Sequence, residues 1–363
     1  MQILSVATRQ IGTKFSLHSR QPLSNCLFST ATSRHATTPR RTSHFTNTNI
    51  NIKSYITRQT VATMTKITLK SPEIPVSLPD GLSEEQLLSF TPFTSWLKTL
   101  STSLSLQHSN TQHPFHSDPY ALQSITVQAY DLFGGKRVGF LKIQAQVTNA
   151  AGESLPGAVF LRGPSVGMLV ILVPDDDAEE DERYVLLTVQ PRIPAGSLAF
   201  AELPAGMVDD DGEESGEGKF AGTAAREIYE ELGIEIPASE LVCLSDLAAT
   251  DEEKDGKGKE EEGGKEKKGD EDEDGEEEGL PSAMYPSAGG CDEYVPIYMH
   301  ERRVPRHTLA EWAGKLTGLR DHGERITLKL VPMRDLWREG RRDSKALAAL
   351  ALWEGLRREG KLR

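Results

Sequence analysis

Nine consecutive residues carry the sharpest chemical signal in this chain: Arg226-Glu227-Ile228-Tyr229-Glu230-Glu231-Leu232-Gly233-Ile234. On a helix, Glu227, Glu230 and Glu231 stand at i, i+3 and i+4, so three carboxylates project from one face. Left alone, each like-charged pair costs roughly 0.2–0.5 kcal/mol. A hard divalent cation, Mg²⁺ or Mn²⁺, turns that repulsion into attraction because it prefers carboxylate oxygens. Arg226 is spaced to pair with Glu230 one turn later and hold it in place. The plainer alternative is a solvated acidic helix face. Four fixed charges, a fixed Gly and two apolar positions coincide by chance in fewer than roughly one in a thousand chains of this length, which favours the metal-binding reading.

The elements around this segment are legible from periodicity. Residues 219–232 read as a helix closed by Gly233. Strand-like runs precede it at 138–147, 157–162, 168–173, 184–190 and 198–203, and follow it at 294–299 and 326–331. An amphipathic helix is expected over 344–358. Nearer the start, 82–100 reads as a single helix opened by Ser83, with Gln86 three residues on in the capping-box arrangement. Strands and helices in this mixed order predict an α/β sandwich.

At 363 residues and 37% hydrophobic, the chain can bury a core as one large domain or two ordinary ones. Its longest strongly apolar run, 168–173, falls far short of the roughly 20 residues of a membrane-spanning helix, so no membrane partner is expected. Cys26, Cys243 and Cys291 lack the close spacing of a zinc or redox pair. His300, His307 and His322 are irregularly spaced and are set aside as non-catalytic. The formal charge of −13 is unevenly spread. Residues 1–72 contain no Asp or Glu, while Arg9, Arg20, Arg34, Arg40, Arg41 and Arg58 lie among many Ser and Thr. That composition predicts a transit peptide over 1–63, mitochondrial by expectation, or plastidial if the source has plastids; an ordinary tail is the bland alternative. Met64 would serve as an internal start for a cytoplasmic form. Residues 251–279 hold 16 Asp/Glu, six Lys and seven Gly, a net −10 with nothing apolar to bury. A disordered, solvated insertion is expected there ahead of a Ca²⁺ site. Outside the first 72 residues no basic stripe is concentrated, which argues against a nucleic-acid partner.

The nine residues match the second half of the Nudix box, G-x5-E-x7-R-E-U-x-E-E-x-G-U with U apolar, and Glu202-Leu203-Pro204-Ala205-Gly206 resembles the segment that opens the box in ADP-ribose and ADP-sugar diphosphatases. The chain therefore resembles the Nudix hydrolases. Its middle departs from the general pattern: 19 residues separate Gly206 from Arg226 where 13 are usual, and Gly218 stands at the position of the first Glu. Met207-Val208-Asp209-Asp210-Asp211 and the run from Gly218 to Ala225 look like the plant-type ADP-sugar diphosphatases instead. So do the segments at 161–164, 190–196, 285–293 and 317–324. The likeness spans 157–360 and implies a Nudix-type α/β/α sandwich with a mixed sheet. It also implies that 64–156 is an N-terminal extension, a dimerisation region of a homodimer.

The resemblance assigns roles. Mg²⁺, with Mn²⁺ as the alternative, would be held by Glu227, Glu230, Glu231 and the carbonyl of Ala205, neutralising a diphosphate and placing the attacking water. Gly206 would let the chain turn tightly there. Glu324 is the expected base that activates the water, with Glu230 and Arg226 completing the catalytic group. Arg192 would grip a phosphate through its fork of donors, with a plain surface ion pair as the alternative; Glu202 would bind a substrate hydroxyl or support a residue that does, and Glu293 would reach the terminal sugar, with a plain turn acid as the alternative. The substrate implied is a nucleoside-diphosphate sugar: ADP-ribose cut to AMP and ribose 5-phosphate, or ADP-glucose cut to AMP and glucose 1-phosphate. UDP-glucose or another nucleoside diphosphate derivative is the alternative. A non-catalytic nucleotide-binding module is a third, against which the intact carboxylate cluster stands.

Overall fold

Two sheets organise the computed structural model, which describes residues 64–70, 73–177, 182–208, 217–249, 278–319 and 324–362. The transit peptide expected over 1–63 and all but the end of the acidic run lie outside the described residues. Among the described residues, no helix is long and apolar enough to cross a membrane.

The first sheet runs β1 (Thr65–Lys70), β2 (Glu73–Leu78), β3 (Ala121–Phe133), β4 (Arg137–Thr148) and β5 (Ser154–Leu155), with β6 (Ala158–Leu161) also pairing β4. Burial along β4 alternates over most of its length, the period of a strand with one face on a core. Across that face lie α1 (Glu84–Leu88) and α2 (Thr91–Ser109), whose Leu87, Phe93 and Leu97 share a cluster with Ile125, Val127, Leu141 and Ile143. The capping box forms as expected: Gln86 N–H donates to Ser83 Oγ, and Ser83 N–H to Gln86 Oε1. The single helix expected over 82–100 does not form. Helix α1 stops at Leu88 and α2 restarts at Thr91, because Pro92 has no N–H to donate and its ring would clash with the Leu88 carbonyl of a continuous helix.

The second sheet comprises β7 (Ser165–Pro174), β8 (Tyr184–Arg192), β9 (Ser197–Glu202), β10 (Ala205–Met207), β11 (Val242–Cys243), β12 (Ile297–Val304), β13 (Leu316–Thr317) and β14 (Ile326–Pro332). Its order is β11-β12-β7-β8-β14-β13, with β9 added on β8 and β10 on β7. Strands β7 and β12 are parallel and the other pairings antiparallel, so the sheet is mixed. The helices are α3 (Glu217–Leu232), α4 (Leu244–Ala248), α5 (Arg306–Trp312), α6 (Leu336–Glu339) and α7 (Ser344–Arg358).

Every residue of β7 is buried, and its period-2 alternation sorts the side chains between two cores. Leu169, Ile171 and Val173 pack with Ala346, Ala349 and Leu356 of α7 and with Leu244 and Leu336. Met168, Val170 and Leu172 pack with Ala224, Ile228 and Leu232 of α3 and with Leu309. Helices thus cover both faces, the α/β/α sandwich expected. At about 1.5–3 kcal/mol for each large apolar side chain buried, this central strand is where the layers are tied together. Strand β12 begins at Ile297 rather than 294: Pro296 has no N–H for the ladder, and Val295 instead bridges Met284.

Candidate active site

Helix α3 buries Ala224, Ile228 and Leu232, and this stripe fixes its rotation against β7. The three carboxylates then differ in environment. Glu231 is buried, 6% exposed, whereas Glu227 and Glu230 are half-buried. The helix ends where Gly233 takes a left-handed φ of 69° and donates its N–H to Tyr229 O.

Strand β10 runs beneath this face. Ala205 N–H donates to Glu231 Oε2 at 3.2 Å, and Gln190 Nε2 of β8 donates to Glu231 Oε1, also at 3.2 Å. In an extended strand a residue's N–H and C=O lie on the same side, so the Ala205 carbonyl also looks towards α3. Gly206 is not the tight turn expected. It lies in the strand opposite Val166, outside the left-handed region. Its role is close approach: a Cβ there would fall on Cδ, Cγ and Oε1 of Glu227.

Burial first, and then the neighbouring Glu227 charge, push the Glu231 carboxyl up to about 8, against the opposing pull of its bonds from Gln190 and Ala205. Among the described residues Glu231 has neutral donors and no cationic partner. Crowded carboxylates over a backbone that admits no side chain suit a hard cation, and the donors in reach are oxygens. Among the described residues, no three His, Cys, Asp or Glu side chains stand ready-made around one point. A cation would therefore have to draw the carboxylates together.

Arg226 is exposed, and no ion pair joins it to Glu230, correcting the expected brace. An Arg N-terminal to its acid at i, i+4 is the weaker orientation, opposed by the helix dipole. Arg192, at the end of β8, pairs with Glu202 at the end of β9: Arg192 Nε donates to Glu202 Oε1 at 2.6 Å. Two residues the sequence reading missed complete this network. Lys345 Nζ donates to Glu202 Oε2 at 3.1 Å and to Asp343 Oδ1 at 2.9 Å. Asp343 is the N-cap of α7, and its Oδ2 accepts the Leu203 N–H at 2.8 Å. Burial opposes charge on Lys345, but Asp343 and then Glu202 outweigh it and hold the ammonium above its usual value. An Asp directly before a helix pattern was the available signal. Gln190, missed as a carboxylate support, carried none.

Glu293 has both oxygens engaged, accepting from Ser165 Oγ at 2.7 Å and from Arg162 Nη1 at 3.3 Å. Glu324 is exposed, and its Oε2 accepts the Leu319 N–H at 3.0 Å. It lies just before β14, whose Thr327 stands opposite Val189, the neighbour of Gln190. Residues 320–323 of its loop, with His322, are outside the described residues.

The NUDIX domain family matches residues 162–347, from the residue after β6 into the first turn of α7. Nudix hydrolase 14, chloroplastic, of Arabidopsis thaliana is 35% identical over 269 residues, covering 74% of this chain and 71% of that protein. The chain belongs to the Nudix family. A crystal structure of an ADP compounds hydrolase aligns with 67% of this chain and 97% of its own, at 16% identity and a TM-score of 0.38.

Proposed function

We propose that this Nudix protein hydrolyses the diphosphate of ADP-sugars, converting ADP-ribose to AMP and ribose 5-phosphate, and ADP-glucose to AMP and glucose 1-phosphate. The observation that carries the hydrolytic reading is the apposition of buried Glu231 and half-buried Glu227 over Ala205 and Gly206. Glu227, Glu230, Glu231 and the Ala205 carbonyl would hold Mg²⁺, with Mn²⁺ as the alternative. When bound, the ion supplies neutralisation of the diphosphate charge and a place for the attacking water.

The chain's own residues do the remaining work. Gln190 fixes the plane of Glu231. Arg192, held at Nε, is left with two Nη groups for a phosphate oxygen. Glu324 takes the proton of the attacking water from its loop beside the Gln190 end of β8. Glu202 serves by holding Arg192, and Glu293, with both oxygens engaged, holds its loop against β7.

Support for adenine and for a sugar comes from the segments at 190–196, 202–206 and 285–293, which resemble the ADP-sugar branch. The carboxylate helix cannot choose, since the diphosphate is common to every candidate. A site built to hydrogen-bond one base leaves buried groups unpaired with another, which disfavours the wrong nucleotide. A homodimer through 64–156 and organellar import directed by 1–63 complete the proposal. The word chloroplastic in the relative's name supports the plastid alternative over the mitochondrion.

The test is product chromatography on protein purified from Met64 onward, with Mg²⁺ and a panel of nucleotide sugars. AMP release from ADP-ribose and ADP-glucose should exceed UMP release from UDP-glucose in kcat/KM. Equal or higher efficiency on UDP-glucose would overturn the adenine assignment.

A further inference from the structure

Four alternating charges run from beneath the second sheet to its surface: Asp343, Lys345, Glu202 and Arg192. Asp343 is 3% and Glu202 3% exposed, and the side chain of Lys345 is 15% exposed, whereas that of Arg192 is 40% exposed. The Glu202 carboxylate is gripped on both oxygens by different cations, Oε2 by Lys345 and Oε1 by Arg192. Its plane is therefore fixed, and so is the direction from which it meets the guanidinium. Arg192 makes no other polar contact among the described residues. Nε is held by Glu202, and neither Nη group has a partner among the described residues. Asp343 anchors the other end by accepting the Leu203 N–H, which lies between Glu202 and the Ala205–Gly206 strand.

We propose that Lys345 is a positioning residue for the diphosphate: by clamping Glu202 it aims the Arg192 fork at a phosphate oxygen, without touching substrate itself. The inference rests on the reading of Arg192 as a phosphate contact. A carboxylate buried with one cation rather than two would turn towards other donors, and Arg192 would lose its fixed anchor. The α7 terminus is thereby linked to substrate affinity by an ion pair between residues 143 positions apart in sequence.

The test is a double-mutant cycle on the chain from Met64, with inorganic pyrophosphate binding measured by calorimetry in Mg²⁺ buffer and ADP-ribose turnover measured in parallel. Arg192→Ala and Lys345→Met should each weaken pyrophosphate binding, by about tenfold, and the double variant should be no weaker than Arg192→Ala alone. That non-additivity is expected for residues in one ion-pair network. In turnover, Lys345→Met should raise KM more than it lowers kcat. If Lys345→Met does not fold, Lys345→Gln carries the same cycle, since it retains a donor to Glu202 without the charge. Additive losses would show that Lys345 only supports the fold and would overturn the proposal, as would a wild-type chain that binds no pyrophosphate. Failure of ADP-ribose turnover alongside an intact cycle overturns the substrate reading and leaves the positioning role standing.

Discussion

Gly206 shows how a single residue sets the geometry of the carboxylates. Its backbone is held in the sheet opposite Val166, and Glu227 is held by a helix whose next residue, Ile228, is fully buried. The two backbones are thus fixed, and a methyl group at position 206 would coincide with the Glu227 carboxylate, whose side chain would have to swing away. Gly206→Ala should therefore displace Glu227 while leaving both elements in place. Displacements of this size at a reacting centre cost about 100-fold in rate, and that loss of kcat is expected with an unchanged far-ultraviolet circular dichroism spectrum. A folded Gly206→Ala protein with normal turnover would remove the Glu227–Gly206 contact from the site. The same contact explains why the glycine's role was misread from sequence. A glycine is equally suited to a turn and to a close approach, and the partner that decides between them is 21 residues away.

At the scale of the element, α3 is held by a narrow apolar stripe while its opposite side meets solvent. Ile228 is fully buried in the cluster with Met168, Val170 and Leu172, whereas the adjacent Tyr229 is 62% exposed. Ile228→Ala should destabilise the protein by about 2–5 kcal/mol, as expected for a buried side chain whose cavity relaxes only partly. Tyr229→Ala should change stability by no more than about 0.5 kcal/mol. Urea titrations of the two variants make the comparison, and equal midpoints would mean that α3 is not docked through this stripe. The position of α3, its Gly233 stop and all of α7 were readable from periodicity. The break between α1 and α2 was readable too, in Pro92, which a continuous helix over 82–100 would have to hold in its interior.

Across the whole molecule, Arg306 at the start of α5 joins chain segments far apart in sequence. It pairs with Asp176, just past β7, and with Glu182, just before β8. Arg306, together with the Tyr184 hydroxyl, draws the Glu182 carboxyl from its ordinary 4.5 down to about 2. A carboxyl lowered on folding contributes stability that is fully present above its unfolded value and is lost as pH falls towards the folded one. The melting temperature of Arg306→Ala should thus lie slightly below that of the wild type at pH 7, and the gap should narrow from about pH 4.5 downward. Because these groups are exposed, added salt should also shrink the gap. A gap that held constant across pH 7 to 3 would show that Arg306 acts through packing rather than charge.

The sequence by itself determined what depends on neighbours along the chain. The i, i+3, i+4 spacing of Glu227, Glu230 and Glu231 places them on one helical face whatever surrounds it, and short strand-like runs marked most of β4, β7, β8, β9 and β14. Only the tertiary structure decided which of those carboxylates is buried, because burial of Glu231 depends on Gln190 and Ala205 arriving from 41 and 26 residues upstream. It also decided that Glu202 meets Arg192 and Lys345. Local periodicity carries no information about sheet register, and register is what brings the ends of β8, β9 and β10 to the foot of α7 and the face of α3.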